Sequence, residues 1–421
     1  MLKINFTAKT QRRRVLESVN RYRNLRKIVF SLCLCASAVL FSTSVKAQVA
    51  VKGETVWTMA GEAIKNGVVL IGANGKIEKV GAETSVQIPS NYRILSAKVV
   101  TPGLIDARTV VGLNGYLNQP HDQMALDGSS PMQPELRAID AYNPEERLIE
   151  WLRGYGITTI HTGHAPGALI SGQTMIAKTI GRTVEDATLK ETAMIAVTIG
   201  ESALQQAGKS PGTRAKEASM LREMLIKAVN YKGEPKDLKL EMMSKVIKRE
   251  IPLLVTAHKI QDIMTALRIA KEFSIKLVLD GASEANLIIP QIKESGFPVI
   301  VHPTMARAGG DTESLSMENA AKLKQAGITI ALQSGFEGYV PKTRIVLFEA
   351  GMAAANGLGQ RNALASITID AAKILGIDNR VGSLEAGKDG DIALYDGDPF
   401  EFTTHCVGTI INGKVVSEVV R

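Results

Sequence analysis

From residue 48 onward the spacing of apolar residues changes several times along the chain. Near each end, apolar runs flank a two-residue turn: "VVLIGANGKIEKV" at 68–80 turns on Asn74-Gly75, and "GTIINGKVV" turns on Asn412-Gly413. Both residues tolerate the positive φ of a tight turn, so both stretches predict hairpins. The strand "DIALYDG" at 391–397 precedes the second. Two hairpin-bearing ends around a different middle predict one small β domain built from both termini.

The middle alternates short apolar runs with helical patterns, which predicts an α/β architecture. Strands are expected at 99–106, 157–162, 193–199, 252–257, 275–280, 298–302 and 328–333. Seven parallel candidates point to an eight-stranded barrel, with the missing strand expected between 200 and 250, a region that nevertheless reads as helical throughout. The clearest helix begins at "NPEERLIEWLRGYG", with Asn143 as cap, Pro144 at the first helical position and Gly154 or Gly156 at the stop. The polar loop from Val111 to Tyr142 is expected to lie over the barrel mouth.

At 421 residues, 45% hydrophobic and 22% charged, the chain has room for a barrel and a smaller companion. Charge changes the picture only at the front. Residues 1–47 hold ten Lys or Arg against the single acid Glu17, so the net +8 of the whole chain leaves about −1 for the rest. A near-neutral body gives no case for nucleic acid. The front segment reads as a secretory signal: a basic region to Lys27, an apolar run from Ile28 to Phe41, then "STSVKA" with Val45 and Ala47 at the cleavage positions. Cleavage is expected after Ala47, giving a periplasmic or secreted protein with no permanent membrane span, because the run falls short of the ~20 residues that cross a bilayer. Cys33 and Cys35 lie in that segment, leaving Cys406 alone and without an internal disulfide partner. Its neighbour His405 points to the opposite strand face, which argues against a nucleophile–base pair.

"VVTPGLIDA" at 99–107, "YGITTIHTG", "IPLLVTAHKIQDIMTALRIAKEF" at 251–273, "LVLDGASEA" at 277–285, "GITIALQSG" at 327–335 and "GSLEAGKDGDIALYDGDPF" at 382–400 together resemble the amidohydrolase superfamily, in its imidazolonepropionase-related branch. The resemblance spans nearly all of the mature chain. It implies a (β/α)8 TIM-like barrel at 101–378 and a β-sandwich from 48–100 and 379–421. It also implies hydrolysis of non-peptide, cyclic-amide-type carbon–nitrogen bonds by a metal-activated water, zinc or another divalent ion being the family default.

Carried over position by position, the resemblance puts Arg108 and Val110 where the family's first-strand histidine pair stands. Thr256 stands at the usual fifth-strand ligand, with His258 kept as the second. Gly281 and Gly335 stand at the sixth-strand His and eighth-strand Asp. No expected ligand is retained there, so no metal cofactor is expected, and two readings of function stay open. One is a hydrolase with a rearranged site; the other is a non-catalytic protein that binds a small molecule or partner at the barrel mouth. Under the first, the catalytic candidates are His161, His164 and Asp280. Under the second, Arg108, His258 and His302 are the ligand-binding candidates, Arg108 through its two-pronged donor geometry toward a carboxylate. Asp122 and Asp127 in the long loop are spare carboxylates for acid–base work. "GALISGQT" lacks the spacing of a phosphate loop, and Ser171 lacks the signature of an activated nucleophile. The sequence leaves oligomeric state and substrate open.

Overall fold

The computed structural model describes residues 48–205, 208–304, 308–336 and 344–419. The expected signal segment and its cleavage after Ala47 lie outside the described residues.

Strands β1 (Val49–Val56), β2 (Ile64–Ile71), β3 (Ile77–Ala82) and β4 (Arg93–Pro102) open the described chain. The barrel strands follow: β5 (Leu104–Thr109), β6 (Ile157–Gly163), β7 (Ile170–Lys178), a short β8 (Thr188–Lys190) and β9 (Ile195–Thr198). Then come β10 (Leu253–Ala257), β11 (Leu277–Gly281), β12 (Val299–Val301) and β13 (Ile330–Leu332). Hydrogen bonds connect them in the order β5-β6-β7-β9-β10-β11-β12-β13, with β8 on the side of β7. A parallel bridge from Thr109 to Gly335 brings the last strand back toward the first, so the barrel is nearly closed.

β14 (Ile392–Tyr395), β15 (Cys406–Ile411) and β16 (Lys414–Glu418) return to the opening strands. The result is one seven-stranded sheet ordered β16-β15-β14-β4-β1-β2-β3, rather than two separately bonded sheets of a sandwich. Both predicted hairpins are present, with positive φ at Gly75, Asn412 and Gly413. Their turns meet: a Cβ on Gly75 would lie 2.3 Å from the Asn412 carbonyl oxygen.

Three expectations are corrected. The missing barrel strand is not between 200 and 250. That stretch folds as helices Arg214–Asn230 and Leu238–Ile247, capped by the Thr213 and Asp237 side chains. The strand is β7, upstream, and it runs antiparallel to both β6 and β9. The single strand expected at 99–106 is two strands in two sheets, parted at Gly103. There any Cβ would meet Thr158 at 2.2 Å, so the chain passes from sheet to barrel where only glycine fits. The helix after Asn143 starts later than predicted, at Arg147–Arg153 with Glu146 as cap, because Asn143 instead accepts from Glu145 N in a preceding turn.

Inside the barrel Ile105, Ile176, Leu254, Val278, Ile300 and Ala331 form one apolar layer. Thr256, Asp280, His302 and Gln333 each follow one of these by two residues, so the alternation of side chains along the strands sets a polar layer directly above an apolar one. Among the described residues no helix is long and apolar enough to cross a membrane.

Candidate functional site

The polar layer is built around Asp280, which is fully buried. Thr256, its register partner on β10, donates to Oδ2 at 2.5 Å. Gln333, just beyond β13, donates through Nε2 to Oδ1 at 2.6 Å. Both carboxylate oxygens are therefore held by neutral donors.

Arg108 is 1% exposed and heads the largest fully buried side chains. It sits where the β5–β6 register shifts, between Asp106 and Thr109, the kind of irregularity that re-aims a side chain. Its Nη2 donates to the carbonyl oxygen of His164, while Nε and Nη1 reach no acceptor. Burial pulls the guanidinium pKa down, and the charges of Asp280 and Asp106 push it back up. Asp106 in turn accepts from Ser334 N at 2.9 Å, and the Ser334 hydroxyl meets Thr109 at 3.1 Å, across the seam that closes the barrel.

The two histidines near the end of β6 do different things. His161 is fully buried and both ring nitrogens are engaged: Nδ1 lies 2.7 Å from the Ala107 carbonyl and so carries the proton, and Nε2 lies 2.7 Å from the Thr174 hydroxyl. Burial first, then the Arg108 charge, lowers its pKa to about 3. His164 lies beyond Gly163 with its ring against the backbone of Gly172, where a Cβ would approach its Cδ2 to 2.3 Å. Neither of its ring nitrogens makes a formed hydrogen bond. Burial and Arg108 lower its pKa to about 4, with the Ala125 carbonyl and Asp127 pulling weakly the other way. Both imidazoles are neutral at pH 7.

His161, His164 and Asp280 share no hydrogen bond; Arg108 links them, as the cation that acts on all three. His258 pairs through Nδ1 with Ser283 at 2.8 Å and lays its ring over Gly281, where a Cβ would meet it at 2.5 Å. His302 is buried beside Glu349, 3.7 Å away, and meets Phe336 edge-on. Val110 and Gly335 contribute no polar side chain.

Asp122 and Asp127 serve as turn formers, accepting from the backbones of Gln119 and Ser129, both at 2.8 Å. Ser171 is buried on β7 with no partner for its hydroxyl. His405 pairs with Asp396 rather than with Cys406, whose thiol pKa is raised by burial. Gln333 and Thr174 were not singled out by sequence; Gln333 is a polar residue at the end of an otherwise apolar barrel strand, which is the available signal, whereas Thr174 lies in a run too polar to mark it.

A divalent metal does not fit this donor set. Among the described residues no three His, Cys, Asp or Glu side chains gather as a metal cluster. The two His161 nitrogens and both Asp280 oxygens are committed to the protein, and a guanidinium is buried among them, a charge that repels a dication.

The sequence pattern of the amidohydrolase family matches residues 104–417. The chain is 29% identical to an amidohydrolase from Thermotoga maritima MSB8, covering 88% of this chain and all of that one, with a TM-score of 0.83. It is 14% identical to an adenosine deaminase from Xanthomonas campestris, over 88% of this chain and 93% of that one, with a TM-score of 0.54. It is also 23% identical to the amidohydrolase tasK of Hapsidospora irregularis, over 74% of this chain, but spans only 36% of that protein's length.

Proposed function

Because the chain belongs to the amidohydrolase family, we propose that it is an exported member of the imidazolonepropionase-related branch that recognises a small polar molecule at its barrel mouth without the family's metal-activated water. The observation that carries this reading is the buried Arg108, which stands where the family resemblance puts a metal ligand and whose Nε and Nη1 reach no acceptor. Further buried polar atoms on the barrel strands or just beyond their ends have no partner: both His164 nitrogens, Ser171 Oγ, Thr198 Oγ1 and Gln333 Oε1. Native interiors leave few such atoms, and a polar ligand or ordered water is the usual reason. The family's chemistry gives the ligand class, a cyclic amide or the ring-opened carboxylate derived from it. The basic-then-apolar segment before Ala47 supports export to the periplasm or beyond.

The test takes protein exported from its full-length gene, with Gln48 expected at its N-terminus. It measures calorimetric binding of hydantoins, imidazolones, lactams and their ring-opened acids, with hydrolysis followed in parallel. Saturable binding without turnover, unchanged by EDTA, is the expected result. Turnover that EDTA abolishes would overturn the proposal. A metal-free hydrolase is a second reading favoured by one observation, the neutral and unpartnered His164. Turnover that survives EDTA but disappears in His164→Ala would select it.

A further inference from the structure

Three carboxylates converge on Gly200, the second residue after β9. Glu217, fully buried on the helix Arg214–Asn230, accepts from Gly200 N at 3.3 Å through one oxygen and at 3.4 Å through the other. Asp262 and Asp311 each place an oxygen 3.0 Å from where a Gly200 Cβ would stand. Asp262 is 1% exposed, near the start of the helix Ile260–Phe273, and Asp311 is 14% exposed in the turn at 309–313. Arg214 is the cation bonded to this group. It donates to Asp262 through Nε at 2.8 Å and through Nη2 at 3.2 Å, and to Asp311 through Nη2 at 3.3 Å. Glu217 lies three residues further along the same helix face, yet the donor it receives is the long, neutral bond from Gly200 N. We propose that Glu217 is a proton-operated latch: with its proton it keeps residues 309–313 fastened at the rim of the barrel mouth, and on losing it, it releases them.

Asp311 joins two sides of that rim. Its Oδ2 accepts from Glu201 N, just beyond β9, at 2.8 Å, while its own turn, Gly310–Thr312, follows β12. The other ion pair of the turn, Glu313 with Lys259, is a surface contact and holds it weakly. The Glu201 side chain comes within 3.8 Å of where a Gly310 Cβ would stand, so a fourth carboxylate faces the same turn. The helix Leu238–Ile247, packed along the Glu217 helix, turns Lys239 toward Glu135 and Glu241 toward Lys236. A buried carboxylate with a long amide bond and two like charges nearby favours its protonated form. Burial first, with Asp262 and Asp311 adding to it, outweighs Gly200 N and Arg214 and lifts the Glu217 pKa to about 7. When Glu217 gives its proton to solvent, three anions are left around one guanidinium. Asp311 is the member able to leave, because it is the most exposed and stands on a short turn rather than in a long helix. Its departure lets water reach Glu217, whose pKa then falls toward the ordinary 4.5. Below that value Glu217 is protonated in either state. Between about 4.5 and 7 only the fastened state keeps the proton, so fastening weakens as pH rises through this window and levels off above it. Both joined segments stand at the C-terminal ends of barrel strands, the face where ligands enter such barrels, so the latch couples pH to access whatever the mouth binds.

The experiment is hydrogen exchange on the full protein at pH 5.5 and pH 8, read as protection factors so that the intrinsic pH dependence of exchange divides out. The reporters are the Glu201 amide, which donates to Asp311, and the amides of residues 309–313. In the wild type their protection should fall at least about tenfold from pH 5.5 to pH 8. Glu217→Gln cannot ionise and keeps the shape, so protection should stay at the high level at both pH values. Glu217→Met supplies the same neutral filling if the glutamine variant does not fold. Asp311→Ala lacks the catch itself and should leave the Glu201 amide at the low level throughout. Wild-type protection that is flat across pH, a wild-type fall in the neutral Glu217 variants, or an Asp311→Ala profile like that of the wild type would each overturn the proposal. The amides of β2, in the seven-stranded sheet, are the control. A parallel fall there would mean loss of the whole fold and would overturn it as well.

Discussion

At the scale of single residues, burial first and the Arg108 charge second keep two histidines neutral. His161 and His164 have folded pKa values of about 3 and about 4, below the ordinary value of 6.5. The unfolded chain therefore takes up protons that the folded chain refuses. Stability is full above about pH 6.5 and is lost as pH falls toward the folded values. Each unit of that window is worth about 1.4 kcal/mol per histidine. Urea unfolding of the wild type at pH 7.5 and pH 5 should show a loss that shrinks by about 2 kcal/mol in His164→Gln. An equal loss in both proteins would mean that His164 already titrates normally. The same residues mark where sequence was legible. The histidines, Asp280 and Arg108 were visible as polar residues at strand ends. That His161 is bound into the structure while His164 is unpartnered was not, because the difference depends on Thr174 and Gly172 on a strand the pattern did not reveal.

At the scale of elements, β7 explains most of what the sequence hid. Six of the seven expected barrel strands appear within one or two residues of their predicted positions, because each is a short apolar run flanked by a helix. "ISGQTMIAK" has a glycine, a serine, a glutamine and a threonine in its first five residues, and it reads as loop. All nine residues are nonetheless buried. Two of its polar side chains are tolerated because they bond to neighbouring segments: Gln173 to the Pro134 carbonyl at 3.0 Å, and Thr174 to His161. Gly172 has a positive φ of 140° and no room for a Cβ beside His164. Gly172→Ala should therefore cost about 2–4 kcal/mol in chemical denaturation, from backbone strain and overpacking together. Adding His164→Ala should remove the overpacking share, leaving the double variant about 1 kcal/mol more stable than the sum of the two single changes. Strict additivity would show that the ring does not press on Gly172.

At the scale of the whole molecule, the seven-stranded sheet and the barrel are joined by buried charges as well as by chain. Lys178, at the end of β7 and 3% exposed, bonds Asp389 at 2.9 Å, Asp391, and the Asn412 side chain of the second hairpin turn at 3.3 Å. Burial alone would raise the Asp389 pKa, but Lys178, Arg380 and Lys76 outweigh it and hold the carboxylate well below its usual range. Lys178→Met should cost about 3–5 kcal/mol at pH 7, because it leaves buried carboxylates short of a cation. Asp391→Asn in the same chain should return part of that in urea titrations. A loss under 1 kcal/mol would show that Arg380 and Lys76 suffice. The joining of strands from both ends in one sheet was legible here, in the paired Asn-Gly turns, whereas the ionic joint was not. Lys76 and Lys178 lie more than two hundred residues from Asp389 and Asp391, and nothing local marks them as neighbours.

The order of the seven strands also has a consequence in time. β4 pairs with β14 along its outer edge, so the strands made first wait for those made last. At about 5–20 residues per second, the interval between Pro102 and Ile392 leaves that edge open for roughly 15–60 s of synthesis. During that time it is a bare row of amide and carbonyl groups available to any other strand. The protein therefore finishes its first sheet only after its barrel has been made. The nascent chain has to be kept from pairing with its neighbours until the final thirty residues arrive to cover it.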